Sequence, residues 1–296
     1  MSRTQEENYH LTGMLMAAGA ALLWSTSGLF IKLLTVDSFA LAGLRSLVAG
    51  LVFLPFIKPR LIKFSPWLLV MVLGFAHTQL AFITATRWTT AANAIAMQST
   101  LPAWIWLLTF LQHRGRPYRL FLPILVILAG VMVLLMEPAL GNSHEGNLLA
   151  LTAGLGFAFT QLGISRARIP AISAVCLANL GASVVAFALK PEVFVGISLP
   201  AQEWVSILYL GAGQIGLGML LFALAMRRIP VAQAAVLSVL EPIFNPLWVF
   251  LVVGESPTHF GLVGWGVILV GILLDVLLRR KGSLAGPTQV KTESSV

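Results

Sequence analysis

Residues 90–111 read TAANAIAMQSTLPAWIWLLTFL, and residues 230–252 read PVAQAAVLSVLEPIFNPLWVFLV. Each stretch is predominantly apolar and has the roughly 20 residues that a helix needs to cross a bilayer. Ala92-Asn93-Ala94 and Leu101-Pro102 in the first return as Ala232-Gln233-Ala234 and Glu241-Pro242 in the second, at a shared offset of 140 residues; Arg87 and Arg227 share it too. Leu73-Gly74 answers to Leu210-Gly211, and Gly130 to Gly271. Gly13, Leu15 and Ala17 before Trp24 answer to Gly146, Leu148 and Ala150 before Phe157. Matches in a common order point to a helical membrane protein made of two similar halves.

Hydrophobic runs fill the rest of the chain. Spans are expected at 11–34, 39–57, 66–86, 90–111, 119–136, 147–165, 171–189, 204–226, 230–252 and 258–278. The 296 residues are 58% hydrophobic and only 10% charged, with mean hydropathy +0.90. Soluble domains carry about 25% charged residues, so lipid is the expected solvent. The first run is longer than the roughly 7–15 residue core of a signal peptide and is preceded by Glu6 and Glu7, so it reads as a retained span. The one cysteine, Cys176, lies in an apolar run. It allows no disulfide within the chain and no cysteine-based metal site, and reads as a small buried hydrophobe.

Net charge is +8, which does not indicate nucleic acid here because the bases are scattered over short loops. Fifteen of the 19 Lys and Arg residues fall on the side of the N-terminus; Arg87 and Lys190 fall on the other, and Lys32 and Arg45 within spans. Basic loops stay in the cytoplasm, so both termini are expected there, in a cytoplasmic (inner) membrane. Loop charge also inverts between the halves: the loop after the fourth span holds Arg114, Arg116 and Arg119, its counterpart after the ninth none. The fold class is therefore an all-α membrane protein with ten transmembrane helices as two inverted five-helix repeats. An N-terminal segment (1–10) precedes the first repeat (11–136); the second (147–279) is followed by a polar tail (280–296) expected to be disordered.

Ala21-Leu22-Leu23-Trp24-Ser25, Ala42-Gly43-Leu44-Arg45, Leu240-Glu241-Pro242, and Gly254-Glu255 followed by Gly264 and Gly271 resemble EamA-type members of the drug/metabolite transporter superfamily. The similarity covers roughly residues 11–279. Where such proteins often carry Gly-Glu after the fourth span, this chain has His113-Arg114-Gly115-Arg116. The resemblance implies ten spans, export or exchange of small metabolites, and a central cavity lined by spans 1, 3, 4, 6, 8 and 9.

Depth selects the candidate site residues. At about 1.5 Å per residue, Trp24, His77, Phe157, Gln214 and Glu241 fall near mid-membrane, where a polar group exposed to lipid costs several kcal/mol. Gln233, Leu237, Glu241, Asn245 and Trp248 share one face of the ninth span. Two roles are open for Glu241. A dehydrated carboxylate can load and release a proton, or the group holds backbone freed by Pro242 and Pro246 or pairs with a base. His77 can relay protons or donate to a substrate carboxylate, or be satisfied by a neighbouring helix. Trp24, Trp104, Phe157 and Phe244 can wall an amphipathic solute or simply pack. Asn93, Gln98, Gln233 and Asn245 can bond a solute or join helices. Pro102 and Pro242 are candidate hinges. Snorkelling is expected of Lys32 and Arg45.

A membrane-embedded enzyme is the main rival, but no His-Glu-x-x-His, G-x-S-x-G or Walker A motif is present. A non-transporting scaffold is the other rival, and would not need matched polar groups at mid-membrane. The expectation is a secondary transporter of amino-acid-like or other amphipathic solutes. It is not an enzyme, uses no cofactor or metal, exports its solute, and proton coupling at Glu241 is a hypothesis. Uptake stays open as the alternative direction, and so does monomer against homodimer. The expected partners are the solute and the lipid bilayer.

Overall fold

The computed structural model describes residues 3–112, 121–136 and 143–284, and every regular element among them is helical. α1 (Arg3–Ser25) continues into α2 (Ser27–Leu33) through a bend at Thr26. There the Ser25 and Thr26 hydroxyls donate to the carbonyls of Leu22 and Leu23, each at 2.7 Å, a local bond that competes with the helical ladder and bends it. α3 (Ser38–Phe53) is capped by Asp37, which accepts from the Phe39 amide at 2.8 Å. α4 (Pro66–Trp88) is capped by Ser65, with proline at its first position, where no amide is missed. α5 (Ala91–Gln98), capped by Thr90, is followed by α6 (Leu101–Gln112) and α7 (Phe121–Leu135).

The second half opens with α8 (Ser143–Ala167) and α9 (Ala171–Leu189). α10 (Ala201–Leu208), a π-helical segment (Tyr209–Leu217) and α11 (Gly218–Ala225) form one continuous rod of 25 residues. α12 (Val231–Ser238) and α13 (Leu240–Val253) meet at Val239, and α13 ends at Gly254, whose φ of 76° is left-handed and suits glycine. α14 runs over His259–Leu284.

Eight helices among the described residues are long and apolar enough to cross a membrane. Their outward faces are apolar: Leu15, Val184 and Leu251 are each more than 60% exposed. The interior holds polar groups such as Asn93, Asn179 and Asn245, each at most 1% exposed, the distribution expected where lipid is the solvent. The two remaining expected spans look different. The fourth is split into α5 and α6 around Ser99 and Thr100. Pro102 lacks an amide and its ring excludes the carbonyl four residues back, so the helix restarts there. The fifth is α7, whose 15 residues cover about 22 Å at the usual rise, against a hydrocarbon core of roughly 30 Å. The loop arginines Arg114, Arg116 and Arg119 and the tail beyond Leu284 lie outside the described residues.

Packing is dominated by pairs from opposite halves: α4 with α8, α3 with α9, α1 with α11, α5 with α13 and α7 with α14. The α4–α8 approach is close because of glycine. A Cβ at Gly163 would meet Met71 Cβ at 2.6 Å, and one at Gly74 would meet the Gly156 carbonyl at 2.7 Å, so larger residues there would separate the helices.

Lys32 and Arg45 do not snorkel. The Lys32 ammonium pairs with Glu255 at 2.6 Å and donates to the Thr89 carbonyl at 2.9 Å. A carboxylate within reach removes the reason to extend towards water. Arg45 is 3% exposed and donates through Nη2 to Gln79 Oε1 at 3.0 Å; helices on every side leave it no path to the interface. At the same end of the bundle as Lys32, Asp37 pairs with Lys190 at 3.0 Å, Glu203 accepts from Thr35 Oγ1 at 2.6 Å, and Arg87 donates to the Leu34 carbonyl at 3.0 Å. Burial pushes the Asp37 carboxyl up, but the Lys190 ammonium and the Phe39 amide together outweigh it and hold it below its ordinary value.

Candidate functional site

The bend at Thr26 places Trp24 at the inner side of the first span. Its ring lies 5.2 Å from that of Phe222, and its indole edge covers Gly218, where a Cβ would meet Nε1 at 2.5 Å. Gln214, 6% exposed in the π-helical segment, donates through Nε2 to the Trp24 carbonyl at 3.3 Å. The wider π turn rotates side chains relative to an α-helix, and such segments are frequent at functional sites. On the next helix Phe244 stacks on Trp248 at 5.7 Å, and Trp248 Nε1 donates to Ser25 Oγ at 2.9 Å. Trp24, Gln214, Phe244 and Trp248 thus gather where α1 meets the π-helical segment and α13.

A second group lies where α4 and α6 meet α8. His77 Nε2 is 3.1 Å from Thr152 Oγ1, and Trp104 Nε1 donates to the Leu151 carbonyl at 3.2 Å. Adjacent residues of α8 therefore hold both. The neighbouring turn of α8 lies against the broken fourth helix, where a Cβ at Gly154 would meet the Gln98 carbonyl at 2.9 Å. The Gln98 side-chain oxygen is buried with no hydrogen-bond partner. His77 remains exposed beside its bond. Phe157 is half-buried on the same helix.

Glu241 sits in the first turn of α13, half-buried, and among the described residues its carboxylate has neither a hydrogen bond nor an ion pair. The backbone group freed by Pro246 is the carbonyl of Pro242, one turn back, and Trp265 Nε1 donates to it at 3.0 Å. Glu241 is therefore not required for that repair. Asn245 is fully buried, and its amide donates to Ser27 Oγ at 3.2 Å: it joins α13 to α2 and faces no open space. Gln233 likewise joins helices, 2.9 Å from His10 Nε2. Pro102 and Pro242 both lie just after the breaks in their helices, at Ser99–Thr100 and Val239. Among the described residues no group of three or more His, Cys, Asp or Glu side chains could hold a metal ion.

Two features escaped the sequence reading. One is the buried Arg45–Gln79 pair. The other is the node at the Lys32 end, where Glu255 accepts from the Ala91 amide at 2.7 Å while pairing with Lys32. Its carboxylate caps α5 across from the opposite half of the chain. The Gly254-Glu255 dipeptide was the available signal, since a glycine stop followed by a carboxylate at a span end fixes one charge in one place.

Helices of this length with apolar outer faces and a polar interior make a multi-pass membrane protein. The chain belongs to the EamA-like transporter family, whose profile matches residues 11–136 and 144–277. It is similar to an uncharacterized transporter of Archaeoglobus fulgidus, 24% identical over 277 residues, which are 88% of this chain and 96% of that protein. A solved crystal structure shares the fold with a TM-score of 0.63 at 21% identity, over 91% of this chain and 98% of its own. These matches point to a membrane transporter rather than an enzyme.

Proposed function

We propose that the protein is a secondary transporter that moves a small amphipathic solute by alternating access between two inverted five-helix halves. The observation that carries this reading is the pairing of the two polar–aromatic groups. Trp24 with Gln214, on spans one and eight, has its counterpart in His77 on span three, which meets Thr152 on span six, the helix that also carries Phe157. Exchanging spans 1–5 with 6–10 turns the contact of spans one and eight into that of six and three, which also forms. Contacts two–seven, four–nine and five–ten map onto themselves. Such a plan sets a site at the interface of the repeats, and the family match in two consecutive segments supports it. In this reading the chain crosses the inner membrane ten times with both termini in the cytoplasm. The solute is amino-acid-like or otherwise amphipathic, export is its direction, and no cofactor takes part.

Glu241 couples transport to protons in this proposal. It lies at mid-span without a fixed partner, and a carboxylate that alternates between wet and dry surroundings exchanges a proton as it does so. His77, Trp104, Trp24, Phe157, Phe244, Gln98 and Gln214 line the solute's path, and the breaks before Pro102 and Pro242 give the halves room to rock. The test uses proteoliposomes loaded with a mixture of labelled amino acids. An imposed pH gradient should drive net movement by the wild type, and Glu241→Gln should lose the gradient-driven part while keeping exchange. A Glu241→Gln response equal to the wild type ends the coupling role of Glu241; wild-type transport that ignores the gradient ends proton coupling.

A further inference from the structure

Arg45 is on α3, seven residues from its start, about 10 Å along the helix from that end. Gln79 is on α4, nine residues from its end, at a similar depth. Both are almost completely buried, at 3% and 7% exposure. Between them they make one hydrogen bond, from Arg45 Nη2 to Gln79 Oε1. Arg45 Nε, Arg45 Nη1 and Gln79 Nε2 are buried with no acceptor. No carboxylate pairs with the guanidinium among the described residues.

This arrangement is one-sided. All three open groups are N–H donors, and two of them belong to a guanidinium, whose charge a protein does not neutralise by deprotonation. A buried charge without a counter-charge costs several kcal/mol, and each unpaired buried donor adds to that cost. A residue retained only for packing would not need the charge. The backbone beside it touches the second half: a Cβ at Gly211, in the π-helical segment, would meet Val48 Cβ at 2.5 Å and the Arg45 carbonyl at 2.7 Å. Three residues further along that segment is Gln214. The backbone of Arg45 thus packs on the helix that carries the Trp24–Gln214 group while its side chain reaches across to α4, so two halves that move against each other would shift α3 and open a path to the donors.

We propose that Arg45 and Gln79 form a binding subsite for a carboxylate, with the two side chains donating to its oxygens. The group bound is a small organic monoanion, which gives the amphipathic solute its charged end. Guanidinium suits this chemistry because its planar donors match carboxylate oxygens. The proposal deepens the transporter reading only by treating the bound anion as cargo. Binding itself is measured without transport, so the two fail separately.

The experiment follows thermal unfolding of the purified protein in detergent. Probes are sodium 3-phenylpropionate, its uncharged amide, and sodium chloride at matched ionic strength. The carboxylate should raise the Tm of the wild type by several degrees at about ten times its Kd, and the amide and chloride should not. Arg45→Met removes the unpaired charge at similar length. It should raise the Tm without anion and abolish the response to the carboxylate. Gln79→Glu supplies a built-in carboxylate, and should likewise raise the Tm and suppress the response. A purely structural Arg45 gives the opposite sign, a lowered Tm or an unfolded Arg45→Met protein, and overturns the proposal. So does a wild type indifferent to the carboxylate, an equal response to chloride, or an undiminished response in Gln79→Glu.

Discussion

Trp265 donates its indole N–H to the carbonyl that Pro246 leaves without a helical partner, and this one bond decides how Glu241 is read. With the carbonyl freed by Pro246 satisfied by another residue, that carbonyl gives the Glu241 carboxylate no structural duty. Trp265→Phe should therefore destabilise the protein, by about 1–3 kcal/mol for a buried acceptor left open, and Glu241→Gln should leave the unfolding temperature nearly unchanged. A Glu241→Gln protein that melts far below the wild type would return Glu241 to a structural role. His77→Ala should weaken solute binding several-fold with little loss of stability, because His77 is exposed and makes one side-chain bond, to Thr152; binding measured by tryptophan fluorescence checks it. The sequence ranked Glu241, His77 and Gln214 by depth, and depth is legible because rise per residue is constant. It misread Arg45 because direction around a helix depends on its neighbours. An arginine two turns from a span end snorkels or is sealed in according to which helices pack over it.

At the level of elements, the halves are tied at one end, among the described residues, by three polar bridges, of which Lys32–Glu255 is the shorter of the two ion pairs and also caps α5. Lys32→Glu and Glu255→Lys should each lower the Tm, and the double exchange should recover much of the loss, as expected when the attraction is specific. No recovery would mean that each side chain acts alone. The Asp37–Lys190 pair is different in its pH response. The Asp37 carboxyl is held below its ordinary value of 3.8. Its contribution is therefore complete at neutral pH and is lost as the pH falls below that value. Helix approach is set by glycine, and Gly163→Leu should drive α4 from α8 and reduce folded yield, checked by size-exclusion profile. The long spans were legible from hydropathy alone. The breaks at Ser99–Thr100 and Val239 were legible only as prolines, since a proline announces a lost hydrogen bond and does not say whether the helix kinks or restarts.

For the whole molecule, the proposed orientation rests on the loop charges, since ten spans would put 15 of the 19 Lys and Arg residues on one side. In a protein with Cys176 replaced, a cysteine at Asn142 should react with an impermeant thiol reagent applied to intact cells, and one at Gly115 should not. Labelling at Gly115 would reverse the topology. The proposed function has the two polar–aromatic groups act on a solute as the halves move. The most direct measurement compares metabolites inside and outside cells that make the wild type, His77→Ala, or no protein. The account predicts at least one small amphipathic solute whose ratio across the membrane shifts several-fold with the wild type and much less with His77→Ala. Identical profiles in all three, with the protein folded and in the membrane, would contradict it.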